Sequence, residues 1–308
     1  MDIIFLILGL LTLIVGGEFL VRGSVHIANR FNLSPLVIGM TIVSFGTSAP
    51  ELIVSIKAAL AGNPDIALGN VIGSNIANIG LVLGLTVLIF PMIIDRNTKI
   101  IDWPMMMFSS LLFFLFAYDG VIVRWEGLTL FALLIAFTFY IIRKSRKDVK
   151  SVDEAVGGDS PHFGTSIMYL LAGLVGLYFG AEWLLGGAVN IAKDFGMEER
   201  VIAVTIVAFG TSVPELVTSC VAAFKKQTDI SIGNLIGSNI FNVMSVIGIT
   251  SMIKPITVSS EILSYDMVWM LGVSAILLPM IIFGKKLGRG KGMILFGIYV
   301  VYIFSLLI

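Results

Sequence analysis

Apolar stretches of about 20 residues, the length a helix needs to cross a hydrocarbon core about 30 Å thick, recur along this whole sequence, beginning with Ile3 to Leu20. With 57% apolar and only 13% charged residues, the 308-residue chain leaves no segment for a soluble domain of useful size. The fold class that follows is an all-α membrane protein. Hydropathy and turn signals place about ten spans, near 3–21, 35–62, 66–90, 103–118, 125–142, 165–187, 200–223, 229–252, 266–283 and 291–308, joined by short loops. The first stretch lacks a basic start and a clear small-residue cleavage site, so it reads as a spanning helix, not a cleaved leader. Met105, Met106, Met107 and the phenylalanines near them read as lipid-facing.

The few charges are ordered. If both termini lie outside the cytoplasm, Arg22, Arg30, Arg96, Lys99, the cluster from Arg143 to Lys150, Lys225, Lys226 and the group from Lys285 to Lys291 fall on the cytoplasmic side. Only Lys57, Arg124, Lys193, Arg200 and Lys254 fall on the other. The positive-inside rule therefore predicts a multi-pass protein of the cell (inner) membrane with both termini outside. Arg143 to Gly164, with mixed charge, two glycines and a proline, reads as a flexible cytoplasmic linker. A lone cysteine, Cys220, excludes a disulfide framework, and His26 and His162 are too far apart to suggest a metal cluster. Formal neutrality gives no sign of a nucleic-acid partner.

The linker separates two copies of one unit, residues 1–142 and 165–308, whose motifs align without a gap. Thr41-Ile-Val-Ser-Phe-Gly-Thr-Ser-Ala-Pro-Glu51-Leu matches Thr205-Ile-Val-Ala-Phe-Gly-Thr-Ser-Val-Pro-Glu215-Leu. At the same offset Gly69-Asn-Val-Ile-Gly-Ser-Asn-Ile-Ala-Asn78 matches Gly233-Asn-Leu-Ile-Gly-Ser-Asn-Ile-Phe-Asn242, as Asp65 matches Asp229 and Asp102 matches Asp266. Each copy holds an odd number of spans, about five, so the second enters the membrane from the opposite side; inverted repeats with broken helices are the signature of secondary transporters.

The chemistry is expected at the breaks. Pro50 and Pro214 lack an N–H and their rings clash with the carbonyl four residues back, so each should interrupt its span. Backbone carbonyls near Gly46 and Thr47, and near Gly210 and Thr211, then lose helical partners, which membranes tolerate only inside protein or along a polar cavity. Each proline suits the start of a half-helix capped by the Thr or Ser before it, which puts Glu51 and Glu215 in a first turn, where the positive end of the helix favours a carboxylate. A bare charge at that depth costs about 2.5 to more than 10 kcal/mol, and Lys57, nearly two turns beyond Glu51, has only Val221 as its counterpart. A bound cation is the simplest counter-charge. Asn70, Ser74 and Asn78, and likewise Asn234, Ser238 and Asn242, fall at intervals of four on one helix face and offer oxygen. Two carboxylates with hydroxyl, amide and carbonyl oxygens meet calcium's need for about six to eight hard ligands, and also make smaller cages for sodium; magnesium keeps its waters and fits less well. Asp65 and Asp229 read as caps of the helices that follow, and Glu18 as the partner of Arg22 one turn away.

The two Gly-Thr-Ser-x-Pro-Glu and two Gly-Asn-x-Ile-Gly-Ser-Asn-x-x-Asn segments resemble the alpha repeats of the cation/calcium antiporter superfamily, in particular its prokaryotic sodium/calcium exchangers, over essentially the whole chain. The resemblance implies ten helices, two of them long, tilted and able to slide across the core. It implies calcium bound by Glu51 and Glu215 with the carbonyls of Thr47 and Thr211. It implies sodium sites drawn from Ser48, Ser212, Ser74, Ser238, Asn78 and Asn242, with carbonyls near Ser44 and Ala208. Many family members carry an aspartate at the position of Asn242, so here the site holds two formal negative charges, which one calcium neutralises and three sodium ions overbalance by one. Calcium and sodium are thus the expected substrates, lipid the surroundings, the monomer the working unit, and no cofactor is expected. Calcium exchange coupled to protons or potassium keeps the same fold, and a passive cation channel is a different class that acids and carbonyls also serve. An intramembrane enzyme finds no His-Glu-x-x-His motif to support it.

Overall fold

The computed structural model describes residues 2–150, 162–196, 208–284 and 286–307. Among these, eight helices are long and apolar enough to cross a membrane, nine when the bent pair Pro35–Thr47 and Ala49–Leu60 counts as one span. The expected span at 200–223 is represented by α10 (Ala208–Thr211) and α11 (Val213–Phe224), its beginning lying outside the described residues. Large apolar side chains such as Ile3, Leu115 and Phe304 stay exposed, while many serines, threonines and asparagines are buried among the apolar core. That distribution suits a lipid surround.

The chain divides into two compact units. The first comprises residues 1–47 and 137–234. Its longest elements, α1 (Asp2–Phe31) and α9 (Phe163–Asp194), have 30 and 32 residues, well beyond the predicted ends at 21 and 187. At about 1.5 Å per residue they are longer than the hydrocarbon core is thick. They pack together through glycines seven residues apart. A methyl on Gly9 would lie 2.8 Å from the Gly180 carbonyl, one on Gly16 3.0 Å from that of Gly173, and one on Gly23 3.0 Å from that of Ser166. Partner numbers fall by seven as these rise by seven, so the helices are antiparallel, and small residues let their backbones touch. Since Gly9 and Gly16 are the repeat equivalents of Gly173 and Gly180, the pair is one helix and its own inverted copy.

The second unit comprises residues 48–136 and 235–306. α4 (Ala49–Leu60) is followed by α5 (Pro64–Ala77), a π-helical turn over Asn78–Leu83 and α6 (Gly84–Ile89). The second copy repeats this at an offset of 164, with α12 (Thr228–Phe241), a π turn over Asn242–Ile247 and α13 (Gly248–Ile253). Next come β1 (Met92–Ile93) and β3 (Ile256–Thr257), π turns over Thr98–Asp102 and Ile262–Asp266, then α7 (Trp103–Ala117) and α14 (Met267–Ile282). α14 has one residue more than α7, so the offset becomes 165 at β2 (Val121–Ile122) and β4 (Lys286–Leu287), a shift the gapless motif alignment does not reach. β1 pairs with β4 and β2 with β3, each antiparallel. Both pairs join loops assigned to the same side by the charge pattern. The closing helices repeat the exchange: in α8 (Arg124–Lys150) a methyl on Gly127 would meet the Gly248 carbonyl at 2.5 Å, and in α15 (Arg289–Leu307) one on Gly292 would meet that of Gly84 at 2.7 Å.

Three expectations are corrected. Arg143 to Lys150 does not begin a flexible linker, because these good helix formers continue α8, and of the 143–164 segment residues 151–161 lie outside the described residues. Met106 and Phe113 do not face lipid; both are fully buried. Asp65 and Asp229 are not N-caps, because α5 and α12 start at Pro64 and Thr228; each acid sits in the first turn, where it meets the helix dipole instead.

The helix pairing predicts a paired outcome for two glycines of α9. Gly173→Ala, whose methyl would press on the backbone of Leu20, is expected to destabilise by about 1–3 kcal/mol. Gly186→Ala, which meets nothing among the described residues within 4 Å, is expected to be neutral or to stabilise by about 0.5–1 kcal/mol. Thermal unfolding of the purified protein in detergent checks both.

Candidate ion-binding site

Each proline breaks its span as expected. The axis bends by 43° between Pro35–Thr47 and α4, with Ser48 at φ −87° and ψ 2° as the non-helical joint. Ser212 at φ −92° and ψ 3° forms the same joint before α11. Pro50 and Pro214 occupy the first turns, where a missing N–H costs nothing, and Glu51 and Glu215 follow them at 0% exposure. The capping role foreseen for the serines is not taken up: neither side chain bonds to its helix. The Oγ atoms of Ser48 and Ser212 are buried without a protein partner.

In the second unit, α4 packs against both α5 and the Asn242–Ile247 turn, and Ser48, Glu51, Ser74, Asn78, Ser238 and Asn242 are all buried. Asn78 and Asn242 each open a π turn, a widened helical geometry recurrent at functional sites. Both amides have their nitrogen and their oxygen buried with no hydrogen-bond partner, and so does the Ser74 hydroxyl. Leaving such groups unmet in an interior costs about 1–3 kcal/mol each, which argues that they serve something other than packing. Asn70 is used differently: its Nδ2 donates to the Glu51 carbonyl at 3.2 Å and to Ser55 Oγ at 3.0 Å, fastening α5 to α4.

In the first unit, Ser44 and Thr47 form α3 (Ser44–Thr47), which follows α2 (Pro35–Ile38) and a π turn over Gly39–Val43. Thr47 Oγ1 donates to Asn234 Oδ1 at 3.1 Å, and Asn234 Nδ2 donates to Ser219 Oγ at 3.1 Å, mirroring the bond between Asn70 and Ser55. Glu215 lies in α11, preceded by Thr211 and Ser212, and Ala208 contributes the first residue of α10. Of the two asparagines read from sequence as oxygen donors to an ion, Asn234 has its Oδ1 engaged by Thr47, while Asn70 bonds through its Nδ2. Lys57 is exposed in the last turn of α4, six residues from Glu51. Glu18 bonds Arg22 as foreseen, at 2.5 Å, and is also paired with Lys225.

Sequence reasoning passed over Asn75 and Asn239, the last residues of the two Gly-Ser-Asn triplets. Asn75 Nδ2 donates to the Asn239 carbonyl at 3.3 Å, and the Oδ1 atoms of both are buried without partners. Their place in the duplicated motif was the available signal. Among the described residues no group of three or more His, Cys, Asp or Glu gathers, so any cation here would be held by few acids and many neutral oxygens, a donor set suited to calcium or sodium rather than to a transition metal.

Inverted repeats crossing a membrane, with mirrored helix breaks that each bury an acid, are the architecture of a secondary transporter. Residues 1–143 and 165–308 match the family model for sodium/calcium exchanger protein. The chain is 37% identical over 307 residues to CaxA of Alkalimonas amylolytica, covering 97% of this chain and 96% of that one. It is 31% identical to the sodium/calcium exchanger MaX1 of Methanosarcina acetivorans, covering 98% and 97%. The solved structure of the sodium-calcium exchanger NCX_Mj soaked with zero Na+ and Ca2+ superposes with a TM-score of 0.86 at 32% identity, covering 99% and 98%. The protein belongs to the sodium/calcium exchanger family, in the prokaryotic branch of the cation/calcium antiporter superfamily, and its class of activity is cation/calcium exchange.

The unmet amides make a prediction. Asn78→Leu, close to isosteric, is expected to raise the melting temperature measured in chelator, by an amount equivalent to about 1–3 kcal/mol, while abolishing any further rise on adding calcium or sodium. A variant no more stable than wild type in chelator, yet still stabilised by the ions, would remove Asn78 from the site.

Proposed function

We propose that the protein is an antiporter that exchanges calcium for sodium, the two ions competing for overlapping ligands while access alternates between the membrane faces. One observation carries this reading: two repeat-related glutamates, each at 0% exposure in the first turn of a half-helix, in a family of cation exchangers. In this proposal Glu51 and Glu215 bind calcium together with the carbonyls of Thr47 and Thr211. Sodium draws on Ser48, Ser212, Ser74, Ser238, Asn78 and Asn242, with the carbonyls of Ser44 and Ala208. The unpartnered oxygens of Ser48, Ser212, Ser74, Asn78 and Asn242 support those assignments.

The mechanism is competition under a charge constraint. Ionised carboxylates at this depth are affordable only beside a cation, so an ion-free site resists crossing from one face to the other, and obligatory exchange follows. Asn242 limits the fixed charge to two, which one calcium balances. The protein works as a monomer in the cell (inner) membrane with both termini outside, its two repeats at 1–142 and 165–308. The charge distribution and the presence of both repeats in one chain support this arrangement.

Glu51→Gln and Glu215→Gln are each expected to lower calcium transport by about 100-fold or more, the effect of losing about 3 kcal/mol from a buried charged interaction, in protein that still inserts and folds. Calcium-45 flux in proteoliposomes checks this, with sodium, potassium and pH gradients imposed one at a time. Uptake driven by sodium alone is the expected result. Uptake driven only by the pH or potassium gradient would replace sodium as the coupling ion, and uncoupled leak would favour a channel.

A further inference from the structure

The repeat-related asparagines at the start of the ion-site helices are not used alike. Asn70 is half-buried and the Gly69 before it is exposed, whereas Asn234 and Gly233 are buried. Within the first unit Asn234 is engaged from three directions. Its Oδ1 accepts from Thr47 Oγ1 at 3.1 Å, its Nδ2 donates to Ser219 Oγ at 3.1 Å, and its carbonyl lies 3.0 Å from the Ser44 hydroxyl. The backbones also touch. A methyl on Gly39 would come within 2.6 Å of the Ile230 carbonyl and 3.1 Å of the Asn234 nitrogen, and one on Gly233 would overlap the Leu36 carbonyl. The segment from Leu36 to Thr47 therefore lies directly on Ile230 to Asn234, with no space for water between the backbones. Leu36 follows Arg30 and Ile230 follows Lys225 and Lys226, so the charge pattern puts this seam on the cytoplasmic half.

We propose that the seam is the closed cytoplasmic gate and that Asn234 is its clamp, a positioning residue that holds Thr47 in place and bars the cytoplasmic approach to Glu215. The inference rests on the antiport reading, since it takes Thr47 and Glu215 as ion ligands. It assigns Asn234 a role other than ligation. Its Oδ1 and Nδ2 each already have a protein partner, so opening the gate means exchanging these bonds for water. The net worth of one such bond is modest, which suits an element that must open and close in each cycle.

The test reads access, not transport. Ser231, fully buried one turn before Asn234, is replaced by cysteine in a Cys220→Ser background, and its labelling by a membrane-impermeant maleimide is timed from the cytoplasmic face of vesicles. Asn234→Ala and Thr47→Val are each expected to speed labelling by about tenfold, the population shift that loss of one hydrogen bond supports. The double variant should add little to Asn234→Ala. Asn234→Asp, which keeps the oxygen that accepts from Thr47, should restore slow labelling. Unchanged labelling in both single variants, or equal acceleration from the external face, overturns the clamp. Sodium-driven flux of the unmodified protein is measured alongside; its absence would sink the antiport reading while leaving the labelling result standing.

Discussion

Taking a carboxylate wholly out of water inside a membrane is among the most costly acts available to a protein, and this chain does it twice, at Glu51 and Glu215. Much of the neighbouring structure follows from making those positions tolerable. Each acid begins a half-helix, where the backbone dipole favours negative charge, and each half-helix exists because a proline two residues in ends the helix before it. Serines at the joints keep their hydroxyls off the helix ends. The asparagines at 78 and 242 open their helices into π turns, where the amides stay available.

Inversion supplies a second constraint. The same elements run in opposite directions, and the fold records this in its closest contacts. α1 meets α9, its own copy, through glycines whose numbers run oppositely, and the strand pairs β1 with β4 and β2 with β3 exchange equivalent partners. Glycine is required at these crossings because the backbone of one helix occupies the space a side chain would need.

The membrane class, the duplication and the two breaks were legible from sequence, because each has a local cause: apolar length, motif identity and a proline. What was not legible has a tertiary cause. The π turns carry no residue signal that separates them from ordinary helix, and the role of Asn234 depends on Thr47 lying against it across a large sequence separation. α8 ran past its expected end because charged residues that mark a cytoplasmic loop are also good helix formers. The aspartates at 65 and 229 were misplaced by one or two residues, the usual uncertainty at a helix start. Candidate ligands were chosen by type and repeat position, and Asn75 and Asn239 were left aside because the four-residue spacing stepped over them.

The central claim is that the two buried acids are ionised and neutralised by the transported cation. Infrared difference spectra of the reconstituted protein, recorded while sodium is exchanged for calcium, read that state directly. The account predicts carboxylate stretching bands that shift with the ion and that weaken when either glutamate is replaced by glutamine. A protonated carboxyl carbonyl band assigned to these residues in both ions, with no carboxylate band responding to the exchange, would contradict it.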